Sequence, residues 1–188
     1  MSLTRRQYEI IDIALNLTAQ RGIQSLTIKN LGQELGISEP AIYRHFKSKS
    51  EIVKAMIGSF DLAVPAESPA LRGFAAVAEF IRGRLAQVAA KPALAKVMFA
   101  EELFMDEPEF TALMLEMMHR HKSSLQRHFA EAQEDGEIRR DLPGDMLFRL
   151  VFGPVRLLIK QWGMSDHGFD LVRKGEELLE TFRTILKP

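Results

Sequence analysis

The stretch Thr27–Lys49, TIKNLGQELGISEPAIYRHFKSK, decides the fold of the chain. Thr27 is a good N-cap, and Ile28, Leu31 and Leu35 follow at spacings of three and four, which predicts a short amphipathic helix over 28–35. Gly36 ends it, because glycine takes the left-handed conformation that closes a helix without a Cβ penalty. Ile37 then packs back on the apolar side, and Ser38 is placed to cap a second helix. Pro40 falls in the first turn of that helix, where its missing N–H costs nothing. Ile42 and Phe46 lie four apart on one face, with Tyr43, Arg44 and His45 largely on the other. The second helix thus has an apolar side and a side rich in hydrogen-bond donors.

Two short helices joined by a glycine-containing turn, the second running into Tyr-Arg-His-Phe-Lys-Ser-Lys, have the shape and chemistry of a major-groove reader. Tyr43, His45, Lys47 and Lys49 suit phosphate oxygens, while Glu39 to Ala41 start the helix and are able to approach base edges. The candidate DNA-contacting residues are Thr27, Lys29, Ser38, Glu39, Pro40, Ala41, Tyr43, Arg44, His45, Lys47 and Lys49. The same spacing is also compatible with an ordinary helical hairpin that has a solvated basic face.

The run Ile28 to Lys49, with Leu31, Leu35, Gly36, Ile37, Ser38, Ala41, Tyr43, His45, Phe46 and Lys49 in register, resembles the N-terminal signature of the tetracycline-repressor (TetR/AcrR) family of bacterial transcription regulators. In that family the tyrosine, histidine and lysine of this pattern hold phosphates. The resemblance therefore implies that role for Tyr43, His45 and Lys49, and places Ser38, Glu39, Pro40 and Ala41 at the start of the recognition helix. Glu39 departs from the small or basic residues common there, since an acid beside phosphates is unfavourable unless it accepts from a base. The resemblance further implies a small effector bound between the helices of a C-terminal domain, and a homodimer joined through the last two helices.

The 188 residues are 46% hydrophobic and 27% charged, the balance of a soluble globular chain with one sizeable core or two small ones. There is no cysteine, which excludes disulfides, thiolate metal sites and cysteine nucleophiles and is consistent with a reducing cytoplasm. No signal-like apolar core opens the chain, and nowhere are there 18 uninterrupted apolar residues, so neither export by a visible signal nor a membrane span is expected. Zero formal net charge hides an asymmetry: residues 1–54 hold 8 Lys and Arg against 5 Asp and Glu, and residues 55–188 hold 17 against 20. A basic end on an acidic body fits a nucleic-acid-binding head.

Around the hairpin, Thr4 is expected to cap a helix over 5–21 that Gly22 stops, with Tyr8, Ile11, Leu15 and Thr18 or Ala19 in its stripe and Ile10, Ala14 and Leu17 beside them. Ser50 and Glu51 are expected to start a fourth helix, with Ile52, Val53, Met56, Ile57 and Phe60 running toward Leu62, as the one covalent link from head to body. Val64-Pro-Ala-Glu-Ser-Pro69 breaks the pattern and marks a boundary between a DNA-binding domain over 1–62 and a ligand-binding and dimerisation domain over 63–188. Helices are then expected from Leu71 through Val88 to near Lys91-Pro92, after Pro92 through Leu94, Val97, Met98 and Leu103, and from the acidic start Asp106-Glu-Pro-Glu109 through Phe110 and Phe129 up to about Asp135-Gly136. Asp145 is expected to cap a helix carrying Leu147, Leu150, Val151, Pro154, Val155, Leu158 and Trp162, one kinked helix across Gly153-Pro154 and not two, and Leu171 to Leu186 form the last one. No alternating strand pattern appears. The prediction is an all-α architecture of about nine helices, a three-helix head followed by a helical bundle.

No GxSxG, GxxxxGK, GxGxxG or HExxH motif is present, and no cofactor or metal is expected. His119 and His121 point to opposite sides of one helix, so a metal site with His128 is disfavoured; His121 lining the interior, with His119 and His128 solvated or hydrogen-bonded, is the plainer reading. Met98, Phe104, Met114, Met117, His121 and Trp162, with Met105 and Phe110 nearby, line either an adaptable apolar cavity or a plain core. The last two helices carry stripes wider than one neighbour covers, which suits pairing with a twofold mate. These features point to a homodimeric, ligand-responsive regulator that binds a pseudo-palindromic operator and a small apolar effector. The alternative is a helical carrier or enzyme whose N-terminal hairpin binds another protein.

Overall fold

In a computed structural model the described residues are 3–60, 70–98, 104 and 107–188. Among them are nine α-helices, a 3-10 helix over Ile23–Ser25, and no strand. The helices are α1 (Arg5–Arg21), α2 (Ile28–Leu35), α3 (Glu39–Tyr43), α4 (Lys49–Ser59), α5 (Gly73–Ala90), α6 (Ala93–Val97), α7 (Pro108–Glu134), α8 (Gly144–Met164) and α9 (Leu171–Ile185). The expected linker Val64–Pro69, Leu62, Leu103, Met105 and Asp106 lie outside the described residues.

The chain forms two compact units, Met1–Leu62 with Lys96–Met114, and Ala63–Ala95 with Leu115–Pro188. It therefore passes from one unit to the other three times, and α4 with its continuation is not the single covalent link that the sequence suggested. The cause is apolar: Phe104 is fully buried and meets Phe60 edge-on at 6.4 Å between ring centroids, while Lys54 pairs with Glu109 at 2.5 Å, so the segment entering α7 is packed into the first unit.

In the first unit α1 is capped as expected, with the Thr4 hydroxyl accepting from the Gln7 amide and the Gln7 side chain accepting from the Thr4 amide. Ile10, Ile11, Ala14, Leu15, Leu17 and Thr18 form its buried arc. Tyr8 is largely exposed, because it lies just past the edge of that arc. Packing against α4 and α2 buries Leu31, Ile42, Phe46, Ile52 and Met56 to 4% exposure or less, which makes one small core for α1–α4.

In the second unit α5 and α8 both pack on α9. Gly175 of α9 sits so close to Leu85 that a methyl there would overlap its side chain, and Arg82 makes a bidentate pair with Glu176 at 2.7 and 2.9 Å. Helix α8 runs unbroken through Pro154. It starts at Gly144 with Pro143 as N-cap, and Asp145 does not cap it: the Asp145 carboxylate lies in the first turn and is taken by Lys122 and Arg149. Of the expected α8 stripe, Leu147, Val151, Val155 and Trp162 are buried, whereas Leu150 is exposed. His128 is buried and hydrogen-bonds Glu131 at 2.8 Å, His119 is exposed, and His121 is half-buried against Phe80.

Candidate DNA interface and effector site

The helix-turn-helix is built from backbone economy. Thr27 caps α2 through its hydroxyl, which accepts from the Asn30 amide at 3.1 Å. Gly36 closes the helix at φ 64°, and the Ile37 amide turns back to the Gly32 carbonyl at 3.0 Å. Gly32 has to be glycine for a different reason: a Cβ there would stand 2.8 Å from the Ile37 carbonyl oxygen. The turn thus lies directly on α2, which sets where α3 begins.

Helix α3 departs from expectation at both ends. The Ser38 hydroxyl makes no capping bond. Pro40 lacks the N–H such a cap would use, and the Ala41 amide already donates to the Ser38 carbonyl at 2.9 Å. The helix stops at Tyr43, well short of Phe46. The amides of His45 and Phe46 both return to the Ile42 carbonyl, at 2.9 and 3.1 Å, and the His45 carbonyl accepts from Gln7 Nε2 at 3.0 Å instead of serving a further helical turn. Gln7 therefore caps α1 and ties down the end of α3 at once. It is a positioning residue that the sequence reading passed over.

Beyond α3 the Lys47 amide donates to Glu51 Oε2 at 2.7 Å and the Ser48 hydroxyl accepts from the Glu51 amide at 3.2 Å. Ser48, and not Ser50, is the cap of α4, so Lys49 is its first residue. The Ser48-x-x-Glu51 spacing is a capping-box signature and was available in the sequence. These bonds place a row of polar side chains on the surface. Tyr43 is 48% exposed, Lys29, Ser38, Glu39, Pro40, Arg44, Lys47 and Lys49 are exposed, and Thr27, Ala41 and His45 are half-buried. Among the described residues, Lys29, Arg44, Lys47 and Lys49 make no ion pair within the chain, while Arg5, Arg6 and Arg21 are paired with Glu9 or Glu34. The uncompensated cations of the head thus gather around α3.

The six residues expected at an effector site divide between the units. Met98, Phe104 and Met114 are buried in the first, and Met117, His121 and Trp162 belong to the second. Trp162 is fixed by a bond from Nε1 to the Phe169 carbonyl at 2.9 Å and by the His167 ring 4.3 Å away. A cleft of about 380 Å³ in the first unit is lined by Phe104 and Phe110 together with Ile23, Val53 and Lys49. On α8 and α9, Met146, Leu150, Leu157, Met164, Val172 and Ile185 remain exposed. This is an apolar surface beyond what the unit's own core uses. Among the described residues no helix is long and apolar enough to cross a membrane.

Residues 10–56 match the family described as bacterial regulatory proteins, tetR family, and residues 72–184 match the YsiA-like protein C-terminal region. The HTH-type transcriptional repressor KstR2 of Mycolicibacterium smegmatis is 28% identical over 160 residues, covering 78% of this chain and 74% of that protein. The fatty acid degradation regulator FadR from Bacillus halodurans superimposes with a TM-score of 0.81 at 20% identity, over 97% of each chain. FadR from Bacillus subtilis, solved in complex with stearoyl-CoA, gives 0.76 at 22% identity over 96% of this chain and 98% of that one. The helix-turn-helix lies within the first match and α5 to α9 fall almost wholly within the second, so the chain belongs to the tetR family of bacterial regulatory proteins and is a transcription regulator, not an enzyme.

Proposed function

We propose that this chain is a ligand-responsive repressor that acts in the cytoplasm and binds a pseudo-palindromic operator as a homodimer. The observation that carries the reading is the set of unpaired cations and donors around α3, held by bonds from Gln7 and Glu51 that would otherwise be idle. In this reading residues 1–62 contact DNA. Tyr43, Arg44, His45, Lys47 and Lys49, with Thr27 and Lys29, hold phosphates, and Ser38, Glu39, Pro40 and Ala41 face base edges. Residues 63–188 take the effector and form the dimer, with Lys96–Met114 seated on the head. The exposed apolar residues of α8 and α9 support pairing with a second copy, which would set two α3 helices about 34–36 Å apart. The effector is a small apolar molecule received in the second unit, near Met117, His121 and Trp162; the stearoyl-CoA held by the Bacillus subtilis regulator supports an apolar chain.

An effector that prefers a misaligned arrangement of the two reading helices by a coupling energy of about 1–3 kcal/mol lowers operator affinity about 5–150-fold, and operator lowers effector affinity by the same factor. Selection of bound sequences from random duplex, followed by titration of the selected site at several salt concentrations, tests the reading. A twofold-symmetric site with a log-affinity against log-salt slope of several units supports it. Salt-independent binding, or no enrichment, would refute it.

A further inference from the structure

The first unit holds a cleft to which the DNA-binding reading gives no role. Its volume is about 380 Å³, at the small end of the range of ligand sites, and every residue that lines it belongs to that unit. The buried part of the lining is apolar: Val53 of α4 is 2% exposed and Phe104 is 1% exposed. Phe104 is held by its edge-on contact with Phe60, and the Lys54–Glu109 pair fastens the first turn of α7 to α4. Ile23 and Phe110, both half-buried, complete the apolar lining.

The rest of the lining is polar and idle. Lys49 and Glu107 are exposed and oppositely charged, yet among the described residues neither makes an ion pair, with the other or with a third group. Gln24 and Ser50 line the same cleft, and among the described residues their side chains make no hydrogen bond. Their charged neighbours are all engaged: Glu51 accepts from the Lys47 amide, and Lys54 holds Glu109. A cation and an anion beside a fixed apolar surface match a small zwitterion with an apolar body. We infer that the cleft is a second small-molecule site, for an apolar α-amino acid whose carboxylate meets Lys49, whose ammonium meets Glu107 and whose side chain lies on Phe104, Phe110 and Val53.

An acid or an amine with the same apolar body gains only one of the two charge-assisted bonds, so it binds less well. Occupancy also has a consequence for DNA. Lys49 is a phosphate ligand in the proposed reading, and an ammonium that holds the carboxylate of the amino acid cannot also neutralise a phosphate. The occupied cleft therefore weakens all duplexes together and lowers the log-salt slope by about one unit, with no change needed in the second unit. This consequence rests on the phosphate role of Lys49; the site itself does not.

Calorimetric titration of the full chain with L-phenylalanine, 3-phenylpropanoate and 2-phenylethylamine tests the assignment, with operator binding measured in parallel. Phenylalanine is expected to bind at least about tenfold more tightly than either analogue, the scale of one charge-assisted hydrogen bond. Glu107→Gln, which removes the charge and keeps the shape, is expected to erase the advantage over 3-phenylpropanoate, while the melting temperature and the operator affinity without ligand stay unchanged. Saturating phenylalanine is expected to bring the operator affinity of the unaltered chain toward that of Lys49→Ala and to flatten its log-salt slope by about one unit, and both effects are expected to be lost in Glu107→Gln. Absence of phenylalanine binding, binding no tighter than that of the acid or the amine, an advantage that survives Glu107→Gln, or an operator affinity untouched by saturating phenylalanine overturns the inference. If the chain binds no operator at all, the regulator reading falls, and the calorimetry alone decides the site.

Discussion

Replacing Gly32 by alanine, with Gly58→Ala as its match, isolates how the turn sets the recognition helix. Both glycines lie inside helices of the first unit, so both changes gain about 0.5–1 kcal/mol from the restricted unfolded chain. At Gly58 the new methyl meets nothing within 4 Å, and that gain should appear in full. At Gly32 the methyl would stand 2.8 Å from the Ile37 carbonyl oxygen, with Ile42 Cδ1 at 3.8 Å and the Glu39 amide at 3.9 Å. The first of these is backbone and has to move, at a cost of about 1–3 kcal/mol for overpacking. Set against the propensity gain, Gly32→Ala should lose about 1 kcal/mol, and the two variants should differ by about 2 kcal/mol. The displaced turn carries Ser38 and Glu39 with it, so operator affinity should fall about tenfold, the worth of one base contact. Urea unfolding and fluorescence anisotropy on a selected operator read the two effects. A Gly32→Ala protein as stable as Gly58→Ala, with operator affinity intact, would refute the proposed seating of the turn.

Lys49→Ala should weaken all duplexes together and flatten the log-salt slope by about one unit, and Tyr43→Phe should weaken them without changing sequence preference; normal operator binding by Lys49→Ala at several salt concentrations would show that Lys49 holds no phosphate. Glu39→Ala should relax preference at one operator position if the acid accepts from a cytosine amine, worth about 1–3 kcal/mol, whereas a uniform gain in affinity would mark plain repulsion. Glu131 accepts from the Gly73 amide at 3.0 Å and from His128, and these bonds, the backbone one first, hold its carboxyl below the usual range. A lowered folded pKa means stability present above the unfolded value and lost as pH falls through the folded one, so Glu131→Gln should flatten the acid limb of melting temperature below about pH 5; an unchanged limb would sever that link. Leu157→Asp places a charge on a side chain 56% exposed and should leave the monomer folded but split the dimer in sedimentation; an intact dimer would move the interface off α8.

Much of this protein is local, and local structure was written in the residue order. Thr4, Thr27, Gly22 and Gly36 bound α1 and α2 because a cap bonds within three residues of itself, and the two predicted helices are the two observed. Pro154 left the α8 stripe in phase, so one helix was legible through it. The same short range explains two misplacements. Ser38 and Asp145 have capping chemistry, yet Pro40 and the Ser38 carbonyl remove the donors from one, and Lys122 and Arg149 take the carboxylate of the other. What only the tertiary structure decided involves partners far apart in sequence. Gln7 ending α3 across 38 residues, Phe104 packing on Phe60, and Arg84 buried beside rings from α7 and α8 leave no periodic trace, because a single side chain meeting another element has no spacing to read. The head is legible because its helices are capped and spaced by neighbours in the chain; the interior of the body is not, because burial there is settled by which helices come together.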